Sequence, residues 1–282
     1  MPTASAETIQ EAVQTLSADL KRAATTMSAD EARFLVDAYY IHQEGRKRAD
    51  NQIRALGENY EPHSIIRWLT DNEGKLERVI RQALDAYSRQ SATGVWARSI
   101  TGIGPVITAG LLAHIDIEKA PTVGHIWRFA GLDPTDTWGK GEKRPWNAAL
   151  KTLCWHIGES IVKQQNRHTA GATVGGEFYG QLYAERKALE TERSEKGLLK
   201  DQADVGAKRV GKSTEAYKWY AQGKLPPGHI HARAKRYAVK LFLAHLHHVL
   251  YETRYGTPPP KPYILTQPGH AHFIKPPSWP LP

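Results

Sequence analysis

Along most of this chain apolar side chains return every three to four residues, the period that gives an α-helix one apolar face. Ile9, Val13, Leu16 and Leu20 predict a helix over Thr8–Ala24. Ser28-Ala29-Asp30-Glu31 supplies a capping start for a second helix, with Phe34, Leu35, Ala38, Tyr39 and Ile41 on its apolar side. That pattern continues through Arg46-Lys47-Arg48 to Leu56 and stops at Gly57. Leu76, Ile80 and Leu84 predict a third helix over Glu73–Tyr87.

Downstream, the same period predicts a short helix over Thr122–Phe129 closed by Gly131, and another from about Trp146 to Lys163. Gly171-Ala172-Thr173-Val174-Gly175-Gly176 marks a break, followed by a charged helix over Phe178–Lys196. Residues 197–227 read as less regular, with Lys208, Arg209 and Lys212 ahead of Tyr217, Trp219 and Tyr220. A long helix follows over about His229–Tyr255, and beyond Gly256 nine of the 17 prolines predict an extended arm. No strand-period run or internal repeat stands out. The expected fold is mainly α: a helical N-terminal region (1–90), a helical domain containing a helix-hairpin-helix (91–170), a basic helical region (171–255) and a Pro-rich C-terminal arm (256–282).

Charge sharpens this division. Residues 1–90 hold 12 Lys/Arg against 14 Asp/Glu, whereas residues 91–282 hold 26 against 15. The excess behind the net charge of +9 therefore lies in the second part, and a polyanion is its natural partner. No apolar run reaches the ~20 residues that span a bilayer, so no membrane is expected. The start, MPTASAETIQEAV, lacks the basic-then-apolar layout of a secretory signal. The single cysteine, Cys154, leaves no intrachain disulfide to form, and a cytoplasmic setting is expected.

The most legible chemistry is SITGIGPVITAGLL, residues 99–112. Gly102 and Gly104 around Ile103 suit the turn of a helix-hairpin-helix, and Pro105 suits the first position of the next helix, where a missing N–H costs nothing. Ile100, Ile103, Ile107 and Leu111 supply packing, while Thr108, Ala109 and Gly110 permit close approach. Backbone N–H groups at Gly102, Ile103, Gly104 and Val106 would then face a phosphate. Val106 stands where a basic side chain would help, so the grip must come from the backbone and from distant cations.

Three elements in order, GIGPVITAGLLAHI, then TVGHIWRFAGLDP, then the loop Gly139-Lys140-Gly141-Glu142-Lys143-Arg144, resemble the C-terminal domain of the bridge-RNA-guided insertion-sequence transposases of the IS one-ten/one-sixteen group. The resemblance covers about residues 95–165, with Asp116-Ile117-Glu118 as the family's acidic turn and Ala130-Gly131-Leu132-Asp133-Pro134 as its A-G-L-x-P element. It implies DNA recognition, with RNA as a further partner. In the family a serine nucleophile follows A-G-L-x-P, and a nuclease-like domain with four acidic residues precedes the hairpin. Here no serine lies between Ala130 and Leu150, Thr137 being the nearest hydroxyl besides Thr135, and residues 1–90 read as helical. The expectation is a relative that grips DNA without recombinase chemistry.

Further residues extend that grip. Lys140, Lys143, Arg144 and Lys151 lie between or just beyond Trp138 and Trp146, which are placed either to stack on bases or to pack in the core. Arg233, Arg236 and Lys240 share one face of the last helix, away from the apolar stripe Val239, Phe242, Leu246 and Val249. His245, His248 and Glu252 also share a face and are weak metal candidates, as are His270 and His272 in the tail and the pair Asp116 and Glu118. Gly211-Lys212-Ser213 lacks the glycine and strand of a phosphate-binding loop. No cofactor is expected, a divalent metal entering only if the chain is catalytic. A homo-oligomer is expected, and two alternatives stay open: an active transposase component whose partner supplies missing chemistry, and a structural or assembly protein that oligomerises through the acidic helical N-terminal part and the Pro-rich arm, the hairpin being only a core turn.

Overall fold

The computed structural model describes residues 17–56, 64–165, 175–260 and 273–281. Among the described residues there are α-helices and one 3-10 turn, Ile117–Lys119, and no strand. The chain forms two compact units. One comprises residues up to Arg98 together with Ile103–Asp116, the other Ser99–Gly102 together with residues from Ile117 onward. The division thus falls inside the GIG turn.

The first unit holds α1 (Ala18–Ala24), α2 (Ala29–Ala55), α3 (Ser64–Ser88), α4 (Ala92–Ser99, which reaches its end at the division) and α5 (Pro105–His114). The predicted capping box forms: Ser28 Oγ accepts from Glu31 N, and the Glu31 carboxylate accepts from Ser28 N at 2.7 Å. Helices α2 and α3 run antiparallel, with Val36 packed beside Leu84 and Arg46 bridging to Glu77 at 2.5 Å. Helix α3 begins at Ser64, earlier than the expected Glu73, because Ile65, Trp68, Leu69 and Leu76 continue a helical spacing. Those four side chains point outward and are exposed. Of the expected first helix, Ala18–Ala24 is observed, capped by Ser17, while Ile9, Val13 and Leu16 lie outside the described residues.

Helix α5 is the centre of this unit. Pro105 through Leu111 are all buried, and Val106 and Ala109 close a cluster with Val36 and Leu84. Such an all-round apolar helix can only be an interior element.

The second unit is built on α11 (Pro227–Tyr255), against which α6 (Val123–Phe129), α7 (Ala148–Gln164) and α8 (Gly175–Glu195) pack. The expected stripe Val239, Phe242, Leu246 and Val249 is buried. Residues 197–227, expected to be irregular, instead form α9 (Lys200–Ala207) and α10 (Glu215–Ala221). Leu199, Ala203, Tyr220, Leu225 and Ile230 give them a small core of their own. Each helix is barely two turns, too short for periodicity to register.

Helix α11 ends in a left-handed cap at Gly256, φ 70°. The arm beyond it is corrected in part. Pro276 and Pro277 are buried, the Ile274 carbonyl accepts from His245 Nε2 at 2.9 Å, and the Trp279 indole donates to Glu252 at 2.6 Å. Proline brings no N–H to satisfy, so a Pro-rich segment can be buried with few hydrogen bonds. Residues 273–281 are therefore a packed strap on α11. His270 and His272 lie outside the described residues.

Candidate nucleic-acid interface

At the hairpin, Gly102 adopts φ +88°, a left-handed conformation that favours glycine. A Cβ there would stand 2.7 Å from Ser160 Oγ. The Ser160 hydroxyl donates to the Gly102 carbonyl at 2.6 Å, which ties the turn to α7 within the second unit. Gly104 differs. It is the N-cap of α5 with extended backbone and no side-chain cap, and a Cβ on it would meet nothing within 4 Å. Ile103 and the Val106 side chain are buried, so at these positions only backbone could meet a ligand.

Helix α6 ends in the A-G-L-x-P element. Gly131, φ +64°, is the left-handed residue of a Schellman-type cap, with Leu132 N bonded to Trp127 O at 2.8 Å. A Cβ on Gly131 would lie 2.7 Å from Trp146 Cγ, so the glycine is the seat of that indole. From Trp146 an aromatic and cationic ladder runs outward. Lys151 Nζ stands 3.9 Å from the Trp146 ring centroid, Trp146 meets Trp138 edge-on at 6.2 Å, and Arg144 lies over Trp138 at 5.1 Å. The two tryptophans thus organise the loop: Trp138 donates its indole N–H to Glu142 O at 2.8 Å, and the Glu142 carboxylate accepts from Gly139 N. Lys140 and Lys143 are exposed on it.

Lys151 sits in the first turn of α7, which Asn147 caps by accepting from Leu150 N. Partial burial lowers its pKa, and the positive charges of Arg144 and Arg236 lower it further. Burial, and then Arg233, likewise lower the pKa of Arg236 on α11. Among the described residues, Arg144, Lys151 and Arg236 pair with no carboxylate. Arg144 and Arg236 thus both press on Lys151 without a carboxylate partner, an arrangement that favours an anion.

The expected three-residue cationic face of α11 is corrected, since Arg233 is occupied. It bonds Glu190 Oε2 at 2.9 Å and Gln202 at 2.5 Å, and Glu190, which Arg186 also holds at 2.5 Å, is fully buried. A buried carboxylate needs such partners. Lys240 is half-buried, with its Nζ 4.1 Å above the Trp127 ring centroid, and Trp127 donates to the Lys240 carbonyl at 3.0 Å. Of the three, only Arg236 has neither a carboxylate nor a ring partner among the described residues.

The metal candidates are corrected too. His245 Nε2 donates to the Ile274 carbonyl, so Nδ1 carries the lone pair and accepts from the Tyr179 hydroxyl at 2.7 Å. Both ring nitrogens are spent. Burial pushes this histidine down to about 4. His248 faces Glu252 at 3.3 Å, Glu118 pairs with Arg254 at 2.5 Å, and no cluster of metal-ligating side chains occurs among the described residues. Thr137 is exposed and its hydroxyl has no base within hydrogen-bonding distance among the described residues. Burial raises the Cys154 thiol to about 12.

Sequence reasoning passed over Glu190, whose burial no local pattern announces. It also passed over Trp127, and over Trp155, which lies four residues beyond Lys151 on the same helical face.

Residues 96–162, 67 of the 282, match the Transposase IS116/IS110/IS902 family. The matched stretch takes in α5, α6, the basic loop and nearly all of α7, so this quarter of the chain is related to a transposase. No curated protein and no solved structure matches the chain. No described helix is long and apolar enough to cross a membrane.

Proposed function

We propose that this chain is a nucleic-acid-binding relative of transposases that holds duplex DNA by its phosphates. The observation that carries this reading is the uncompensated cluster Arg144, Lys151 and Arg236, drawn from the loop, α7 and α11 of one unit. The ladder of tryptophans holds two of those cations in place before any ligand arrives, which reduces the ordering cost of binding. Lys140 and Lys143 extend the contact, and the family match supports a DNA partner. Binding should be weakly sequence-selective, since phosphate contacts fix register without reading bases. At Gly104 the open space and uncapped α5 support a further backbone contact. Thr137 without a base supports a grip separate from strand transfer.

The test is a salt titration of duplex binding with the purified chain. Affinity should fall steeply with salt and less steeply when the cluster is removed; salt-indifferent binding would refute the reading. An RNA duplex run alongside distinguishes the two nucleic acids.

A second reading has its own observation. Ile65, Trp68, Leu69 and Leu76 form an exposed apolar row on α3, which supports self-association through the first unit. Light scattering with Trp68→Glu tests it: the variant should be monomeric if the row joins copies.

A further inference from the structure

We propose that Trp155 is a stacking platform for an unpaired nucleobase, so that the second unit holds single-stranded or locally opened DNA more tightly than an intact duplex. This rests on the phosphate-binding role of the cation cluster and adds what that cluster alone does not supply, a contact to a base.

Trp155 lies on α7, four residues after Lys151, and such pairs stand one above the other on a helix. It is 55% exposed, whereas Leu153, Cys154 and Ile157 around it are buried, so the helix is firmly packed and the indole stands off it. Trp146 and Trp138 are consumed by holding Lys151 and Arg144, and Trp127 by Lys240. Over Trp155 the nearest cation, Lys235 Nζ, stands farther off, at 5.8 Å, and among the described residues the Trp155 indole N–H makes no hydrogen bond. Among the described residues its ring also meets His156 edge-on at 5.0 Å.

The cation beside the ring is itself held in place. Lys235 is held by the Glu159 carboxylate, and its stem passes so close to α7 that a Cβ on Gly158 would stand 2.6 Å from it. Next to Lys235 on α11 comes Arg236, the cluster cation. Lys151 and Trp155, one turn apart on α7, therefore place a cation of the proposed phosphate site beside an open indole. A base inside an intact duplex has both faces covered by its neighbours, whereas an unpaired base can leave its stack and lie on an indole while adjacent phosphates reach Arg144, Lys151 and Arg236.

The experiment compares wild type, Trp155→Ala, Trp155→Phe and Lys151→Ala on a short oligothymidine strand and on a blunt duplex of matched length, at one salt concentration. Thermal melting of each variant checks the fold. A stacked base is worth enough that Trp155→Ala should weaken the single strand about 5- to 100-fold. Duplex affinity should change less than about twofold, Trp155→Phe should keep most of the single-strand affinity, and Lys151→Ala should weaken both ligands. Unchanged single-strand binding by Trp155→Ala, or equal loss on both ligands, would overturn the stacking role while leaving the phosphate cluster standing. A wild-type chain that binds neither ligand would overturn both.

Discussion

Arg233 and Glu190 form a bond at 2.9 Å around a carboxylate with no solvent exposure, joining α11 to α8. A cation committed to a buried carboxylate is structure, whatever the sequence around it suggests. Arg233→Ala should therefore act mainly on stability. Removing one partner of a buried pair costs about 3–5 kcal/mol, and less here because Arg186 and Arg193 stay beside Glu190. Urea unfolding should show a loss of at least ~2 kcal/mol with DNA affinity of the folded fraction little changed. A stable Arg233→Ala protein with weakened binding would move Arg233 back into the interface.

Arg236→Ala should do the reverse. Arg236 pairs with no carboxylate among the described residues, and its removal relieves repulsion on Lys151. The melting temperature should hold or rise slightly, while duplex affinity falls. A matched loss of stability would mean that the head group has a structural partner.

The two hairpin glycines separate in the same way. Gly102→Ala places a Cβ in a left-handed backbone and 2.7 Å from Ser160 Oγ, so it should destabilise by about 1–3 kcal/mol. Gly104→Ala meets open space and should cost under ~1 kcal/mol, mainly as a weaker N-cap. Reduced duplex affinity in the stable Gly104 variant would place a phosphate at the start of α5. Unchanged affinity would leave the hairpin as a core turn.

Protonation should unfold the second unit from within. Burial lowers His245 to about 4 from an unfolded value near 6.5, and also lowers His229, His231 and His247. A histidine with a depressed folded pKa stabilises the fold above its unfolded pKa, and that contribution is lost as pH falls from about 6.5 toward about 4. For His245 alone the full loss is of order 3 kcal/mol. Unfolding midpoints measured from pH 7.5 down to 4.5 should drop, and His245→Asn should flatten the profile. A profile flat through this range would contradict the buried Tyr179–His245 bond.

Long helices were legible in the sequence because they repeat their apolar spacing many times, as α2 does from its Ser28 cap to Ala55. The short α9 and α10 were not, since two turns carry too few repeats. The cationic cluster was half legible. Arg144, Lys151 and Arg236 stood out as basic residues, but so did Arg233, and only the fold reveals which of them meets a carboxylate buried on a different helix. The same holds for the histidines of α11. The spacing of His245, His248 and Glu252 resembles a metal site, while the ring nitrogens of His245 are taken by Tyr179 and Ile274, both distant in sequence.

The central claim is that Arg144, Lys151 and Arg236 together grip phosphates. Each neutralised phosphate contributes about 0.9 to the slope of log affinity against log salt on B-form DNA. Duplex binding should be titrated across salt for the wild type and for the triple variant Arg144→Ala, Lys151→Ala, Arg236→Ala. The variant should remain folded, with a slope smaller by about two to three because three phosphates are no longer neutralised. A folded triple variant whose slope and affinity match the wild type would contradict the account.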